Sequence, residues 1–345
     1  MNESDKILER ILTSGRKTVE VEPAELAEAR NRRTRLGQAL EVVFPGVRVY
    51  PAGSIAHGDA LTPLTDVDLG GVVPDPAHRY GPGLAGPRRL MEQAREAICG
   101  SLVREYPRLT VTIEGQNHAV LVRFGDPVTA GQPDFTADVI VALDNPDAAG
   151  LYIPALRPPI GWERSDPESH NRMIKTRNDD SRIAFAHVVR LLKHWARTHG
   201  DPLCSWHVKV LALQCITNPT TQLDGLTTWF THSAAALLDQ PTPDPVGVNP
   251  AGVALSQPLD SVLRQIHDAI QILTSARAEA QAGRTANGQK LLAELLPGAV
   301  DTPDVHEVRR EATASALAAG VPTSLVTTTA RTAPLPGKSV RSWRP

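Results

Sequence analysis

Residues 51–71 read PAGSIAHGDALTPLTDVDLGG, and the fold is decided here. VRVYP (47–51) leads in as a strand, so Gly53-Ser54 lies where that strand ends and a short helix opens. Free backbone N–H groups at such a start attract phosphate oxygens. Gly53 allows close backbone approach and Ser54 adds a hydroxyl donor. Twelve residues beyond Ser54 stand Asp66 and Asp68, with apolar Val67 and Leu69 interleaved. On a strand, positions i and i+2 share one face about 6.6 Å apart, so the two carboxylates point together and repel. A divalent cation relieves that repulsion. Mg²⁺ (or Mn²⁺) takes one or two carboxylates and leaves its other positions to water and phosphate.

A third carboxylate from a neighbouring strand completes such a site. DFTADVIVAL (134–143) offers Asp138, which abuts the apolar run Val139, Ile140 and Val141. Asp134 lies at even spacing from it but next to Pro133, near the strand's start, and is the weaker candidate. Alone, a Gly-Ser pair is a turn and an Asp-x-Asp a solvated edge. In this order, with a later third acid, they point to metal-dependent nucleotidyl transfer. The chain has no Gly-x-Gly-x-x-Gly and no Walker A sequence, which removes those two phosphate cradles.

Working outward, the rest of the chain reads as an α+β fold, a mixed twisted sheet with a C-terminal α-helical domain. Residues 1–44 read as helix in two pieces, broken near Gly15 and Pro23. The arginines at 30, 32, 33 and 35 read as a solvated helix face. Residues 87–106 form an amphipathic helix, and LTVTIEG and HAVLVRFG a strand pair around Gly115-Gln116-Asn117. The Pro-, Asp- and Asn-rich stretch 144–180 reads as a long connection. After 181 the periodicity is helical, and from 301 the Ala-, Thr-, Pro- and Arg-rich sequence reads as a disordered tail. The expected domains are 1–160, the core with N-terminal helices, 161–300, helical, and 301–345, tail.

Composition bounds the function. The chain has 345 residues, with 36 Lys+Arg against 38 Asp+Glu and a net charge of −2. Near-neutrality argues against a long nucleic acid as substrate, since phosphate binding along a duplex needs a basic excess. No run approaches ~18 apolar residues, so no membrane span is expected. The charged N-terminus lacks a secretory h-region, and Cys99, Cys204 and Cys215 make neither a disulfide framework nor a metal knuckle. The expected compartment is the cytoplasm.

The Gly-Ser turn, Asp-x-Asp strand and separate third Asp resemble the DNA-polymerase-β-type nucleotidyltransferase superfamily. RLLKHWARTHGDPLCSWHVKVLAL (190–213) further resembles the Lys-x-Trp and Ser-aromatic segment of the cGAS/DncV-like nucleotidyltransferases, the bacterial CD-NTases, relatives of oligoadenylate synthases. GWERSDPESHNRMIKTRN (161–178), PDPVGVNP (243–250) and AELLPG (293–298) fit the same family. The resemblance spans about 45–300. It implies that Lys193 and Ser205 hold a donor triphosphate, and that donor and acceptor are both nucleoside triphosphates joined into a cyclic oligonucleotide. That product would act through a separate effector protein in anti-phage defence.

Spacing agrees in outline: Arg190, Lys193 and Arg197 share a helix face as a positive stripe, and Ser205 reads as an N-cap after Pro202. Trp195 and Trp206 read as core fillers. Three features depart from the family. His57-Gly58-Asp59 stands where a Thr is common, Lys209 where a Glu is common, and the intervening TPLT (62–65) carries a proline. His57 itself reads as a solvated loop residue. Two alternatives stay open: transfer to an RNA 3′ end, small molecule or protein, and a catalytically silent nucleotide-binding protein.

Overall fold

The computed structural model describes residues 2–81, 86–159, 161–239 and 241–318. Its core is a mixed sheet of seven strands: β1 (Arg48–Ala52), β2 (Asp66–Val72), β3 (Thr110–Thr112), β4 (Val120–Arg123), β5 (Thr136–Asp144), β6 (Leu151–Ala155) and β7 (Gly161–Ser165). The order is β1-β2-β5-β4-β3, with β6 pairing β5 and β7. Only β2 and β5 run parallel; the other pairs are antiparallel.

Strand alternation sorts the side chains. Val67 and Leu69 of β2 and Ala137, Val139 and Val141 of β5 are buried with Leu36 and Leu40 of α2 (Pro23–Val43) and Leu90, Ala94 and Ile98 of α4 (Gly86–Leu102). The even-numbered Asp66, Asp68 and Asp138 are thereby left to the opposite face, toward the helical half.

That half packs around α6 (Ala184–Thr198), α7 (Ser205–Cys215), α8 (Gln222–Ala236), α9 (Leu259–Gln281) and α10 (Thr285–Leu295). Trp195 of α6 is fully buried against Trp229 and Phe230 of α8 in edge-on contacts, so it is a core residue, as read from sequence. Each large side chain buried here contributes roughly 1.5–3 kcal/mol.

Three stretches differ from the sequence reading. Helix α1 (Glu3–Thr18) is not part of the sheet domain: Leu8 and Leu12 are buried in the helical core, because an apolar stripe says which face is covered but not by what. Residues 144–180 are not one connection but hold β6, β7 and α5 (Pro167–Asp180). Pro154 sits within β6 opposite Trp162, so a proline that argued for loop is accommodated in a paired strand. The expected tail begins with α11 (Val305–Ala318), whose Glu311 accepts from the N–H groups of Ala286 and Asn287 at the start of α10. Residues 319–345 lie outside the described residues.

Candidate active site

The sheet's acidic face meets the helical half in a cleft of about 380 Å³. One wall starts at β1. Gly53 leaves the strand with φ +72°, and Gly53–His57 forms the short helix α3. Ser54 lines the cleft beside Asp66 and Asp68. A Cβ built on Gly53 falls inside the Asp68 carboxylate, so only glycine fits where this turn passes the acid. Gly53→Ala is therefore expected to lower stability by about 2–3 kcal/mol. The check is chemical denaturation, with Ala52→Ser as a neighbouring control close to wild type.

The parallel pairing of β2 with β5 sets Asp68 directly opposite Asp138 and Asp66 opposite Thr136. The three carboxylates expected from sequence thus share one face of adjacent strands. Burial first, then the charges of Asp66 and Asp138, push the Asp68 carboxyl up to about 7. Burial and Asp66 also raise Asp138, against the opposing pull of Arg123. Asp66 and Asp68 line the cleft, whereas Asp138 stands exposed beside it. Among the described residues no three His, Cys, Asp or Glu side chains form a ready-made metal cage. The trio is an open array. Asp134 is not part of it: its Oδ1 accepts the Asp126 N–H at 3.0 Å.

Behind the acids lies a buried charged cluster. Asp59, fully buried, accepts from Lys193 Nζ at 2.7 Å and lies 3.1 Å from Lys209 Nζ. Burial alone would raise the Asp59 carboxyl, but Lys209 and Lys193 outweigh it and hold it at about 2. Lys209 also donates to His57 Nδ1 at 2.8 Å, and His57 Nε2 donates to Asn171 Oδ1 at 2.7 Å. The sequence reading of a solvated His57 is corrected: it is buried, and neutral because one ring nitrogen must accept from an ammonium.

Burial and Lys209 lower the His57 pKa to about 4. An unfolded His titrates near ~6.5. Between those values the unfolded chain binds a proton that the folded chain refuses, so stability is fully present above pH ~6.5 and falls as pH drops toward 4. The expected loss is on the order of 2–3 kcal/mol. Urea melts of wild type and His57→Gln at pH 7.5 and 4.5 check it, since the change due to Asp68 is common to both and the His57 loss is the amount by which wild type fares worse than the variant on acidification.

The positive stripe on α6 is spent differently from expectation. Arg190 donates to the carbonyls of Gly58 (2.6 Å) and Ala60 (3.2 Å), and Lys193 is neutralised by Asp59. Lys193 still lines the cleft, as does Arg197, which donates to the Thr62 carbonyl at 3.3 Å. Cys204 is the N-cap of α7 and Ser205 its first helical residue, so Ser205 is not the cap. It is exposed in the cleft, while half-buried Trp206 both lines the cleft and packs against the helical core, so its core reading holds in part. Trp206 packs against His170, with ring centroids 4.6 Å apart. Sequence reading missed Asp59, His170 and Asn171 as parts of this site.

No protein-family model matches the chain, and no curated protein does. Solved structures do. CdnC of Escherichia coli MS115-1, solved in complex with HORMA-deltaN, is 18% identical over 86% of this chain and 98% of that one, with a TM-score of 0.64. The Bradyrhizobium diazoefficiens CD-NTase CdnG, in complex with GTP, is 15% identical over 89% and 99%, with a TM-score of 0.60. Vibrio cholerae DncV, described as a cyclic AMP-GMP synthase and a prokaryotic cGAS homolog, is 15% identical over 87% and 82%, with a TM-score of 0.54. The fold is that of the CD-NTases.

Beneath this chain's cleft lies the buried Asp59, Lys193 and Lys209 cluster. Lys209, standing where the family resemblance leads one to expect a Glu, brings a second ammonium to Asp59. Two lysines and one aspartate leave a net positive charge beneath Asp68, and both lysines act to lower its pKa.

Proposed function

We propose that this chain is a metal-dependent nucleotidyltransferase that joins nucleoside triphosphates into a cyclic oligonucleotide. The observation that carries the reading is the register of β2 and β5. It sets Asp68 opposite Asp138, with Asp66 on the same face and the Gly53-Ser54 turn against Asp68.

The donor set fits a hard divalent cation such as Mg²⁺ or Mn²⁺. It offers only carboxylate oxygens; burial first and then the neighbouring like charges raise Asp68 and Asp138, and a cation would offset that charge repulsion. Asp66, Asp68 and Asp138 would hold it; when bound, it supplies polarisation of phosphate oxygens and a lower pKa for an attacking hydroxyl.

The protein's own groups do the rest. Gly53 and Ser54 offer an N–H and a hydroxyl to phosphate oxygens. Ser205 and the cationic groups of Lys193 and Arg197 line the same cleft and stabilise the negative charge of a triphosphate. Lys193 does so while bonded to Asp59, which fixes its position. Asp138, exposed beside the cleft and opposite Asp68, is the carboxylate placed to take the hydroxyl proton.

Support for two nucleotide substrates comes from the neighbours: CdnG was solved with GTP, and DncV is a cyclic AMP-GMP synthase. By the family resemblance of its motifs, the product would serve a separate effector protein in anti-phage defence, made in the cytoplasm. Among the described residues no helix is long and apolar enough to cross a membrane.

Incubation with the four NTPs and Mg²⁺ or Mn²⁺, followed by phosphatase, tests the proposal. A phosphatase-resistant labelled product is expected. Label transferred only to added RNA, small molecule or protein would overturn ring formation while keeping transfer.

A further inference from the structure

The segment 241–253 does more than close the chain's helical half. Thr242 and Val253 pair as a two-way bridge (3.2 and 2.7 Å), which makes the residues between them a closed loop. Two bonds tie that loop to the back of the cleft wall. Thr242 Oγ1 lies 2.8 Å from His207 Nε2 of α7, and Asp244 Oδ1 accepts from His170 Nε2 of α5 at 2.8 Å.

Asp244 is built to be an anchor. Its side chain is 5% exposed, and its other oxygen accepts the N–H groups of Val248 (2.9 Å) and Asn249 (3.0 Å). Those bonds and His170 hold its carboxyl below the usual range, although burial alone would raise it. His170 is thus fixed twice, by Asp244 at Nε2 and by a tilted ring contact with Trp206. Its Nδ1 has no hydrogen-bond partner among the described residues, and the ring lines the cleft.

The lining divides by chemistry. Gly53, Ser54, Asp66, Asp68, Lys193 and Arg197 suit phosphate and metal, while Trp206, Pro167 and the His170 ring, tilted 52° to Trp206, offer ring faces and apolar surface that suit a purine or pyrimidine ring. The geometry points to His170 as a specificity-determining residue that reads the polar edge of a bound nucleobase through Nδ1, with Asp244 as its positioning residue. An unanchored imidazole would rotate to suit any base. One held at Nε2 presents a single nitrogen at a fixed place, and a site built to hydrogen-bond one base edge rejects a base that lacks the matching group.

This inference rests on the proposed function, and its test separates the two. Kd values are measured for ATP, GTP, CTP and UTP in Ca²⁺, without turnover, for wild type, His170→Phe and Asp244→Asn. His170→Phe keeps a ring against Trp206 but removes Nδ1 and the bond to Asp244. Wild type is expected to favour at least one base. Both variants are expected to lose about tenfold in affinity for the favoured NTP, the size of one hydrogen bond, and to change little for the others. Thermal melts of both variants, with wild-type-like binding of a disfavoured NTP, show that the fold is intact.

Unchanged base ranking in either variant overturns the inference while leaving the proposed function standing. So does a wild type that binds all four NTPs equally. A wild type that binds no NTP overturns both.

Discussion

Asp68→Asn is expected to abolish nucleotidyl transfer and, at the same time, to make the protein more stable. The two effects have one cause. Asp68 is held among like charges and largely out of water, so its carboxyl sits at about 7 rather than near the ordinary carboxylate value. A raised carboxyl binds more protons folded than unfolded, so between pH ~4 and 7 stability falls as pH rises. Asn removes that repulsion at nearly constant shape, and the gain at pH 7.5 is on the order of 2 kcal/mol, with solvent access at the cleft trimming the full linkage value. Transfer is expected to fall about 10³-fold or more, because the residue most coupled to both neighbours is lost from the oxygen donor set. Parallel melts and phosphatase-resistant product assays check both halves. A stable variant with unchanged turnover would remove Asp68 from the site.

The second large effect lies beneath the cleft. Asp59→Ala leaves Lys193 and Lys209 buried, close together and without their shared counter-ion. Breaking a buried pair by removing one partner costs about 3–5 kcal/mol. Here two ammoniums are orphaned, so the upper part of that range is expected in denaturant melts at pH 7.5. Lys209→Met in the Asp59→Ala background should recover part of the loss, since it removes one stranded charge from a buried position. A cost under about 1 kcal/mol for Asp59→Ala would mean that the pairs are solvated and the cluster is no anchor.

The site was legible where chemistry and strand alternation coincide. Asp66 and Asp68 declare a shared face by spacing alone, and Asp138 is marked by the apolar run that follows it. Their shared face follows from β2 and β5 running parallel in register, which no single stretch of sequence encodes.

Asp59 was not legible. An acid in a His-Gly-Asp loop is ordinarily solvated, and it is buried only because lysines 134 and 150 residues later arrive on two different helices. The same long-range closure hid His57, whose neutral state depends on Lys209 and Asn171. It also turned Arg190 and Lys193 from a free stripe into loop anchors. Strands β6 and β7 escaped because turn-forming composition outweighs five-residue strands that carry proline or charge. Helix α1 was recognised as a helix but given to the wrong layer, since periodicity does not name a partner.

The claim on which the rest depends is that Asp66, Asp68 and Asp138 act together on a divalent ion. Mn²⁺ titration in the presence of an NTP, followed by electron paramagnetic resonance, tests it on wild type and on each Asp→Asn variant. Tight Mn²⁺ binding in wild type, weakened at least about tenfold by each of the three substitutions, is the expected result. Wild-type affinity in Asp138→Asn, with Asp66→Asn and Asp68→Asn both impaired, would contradict it by leaving the third carboxylate outside the site.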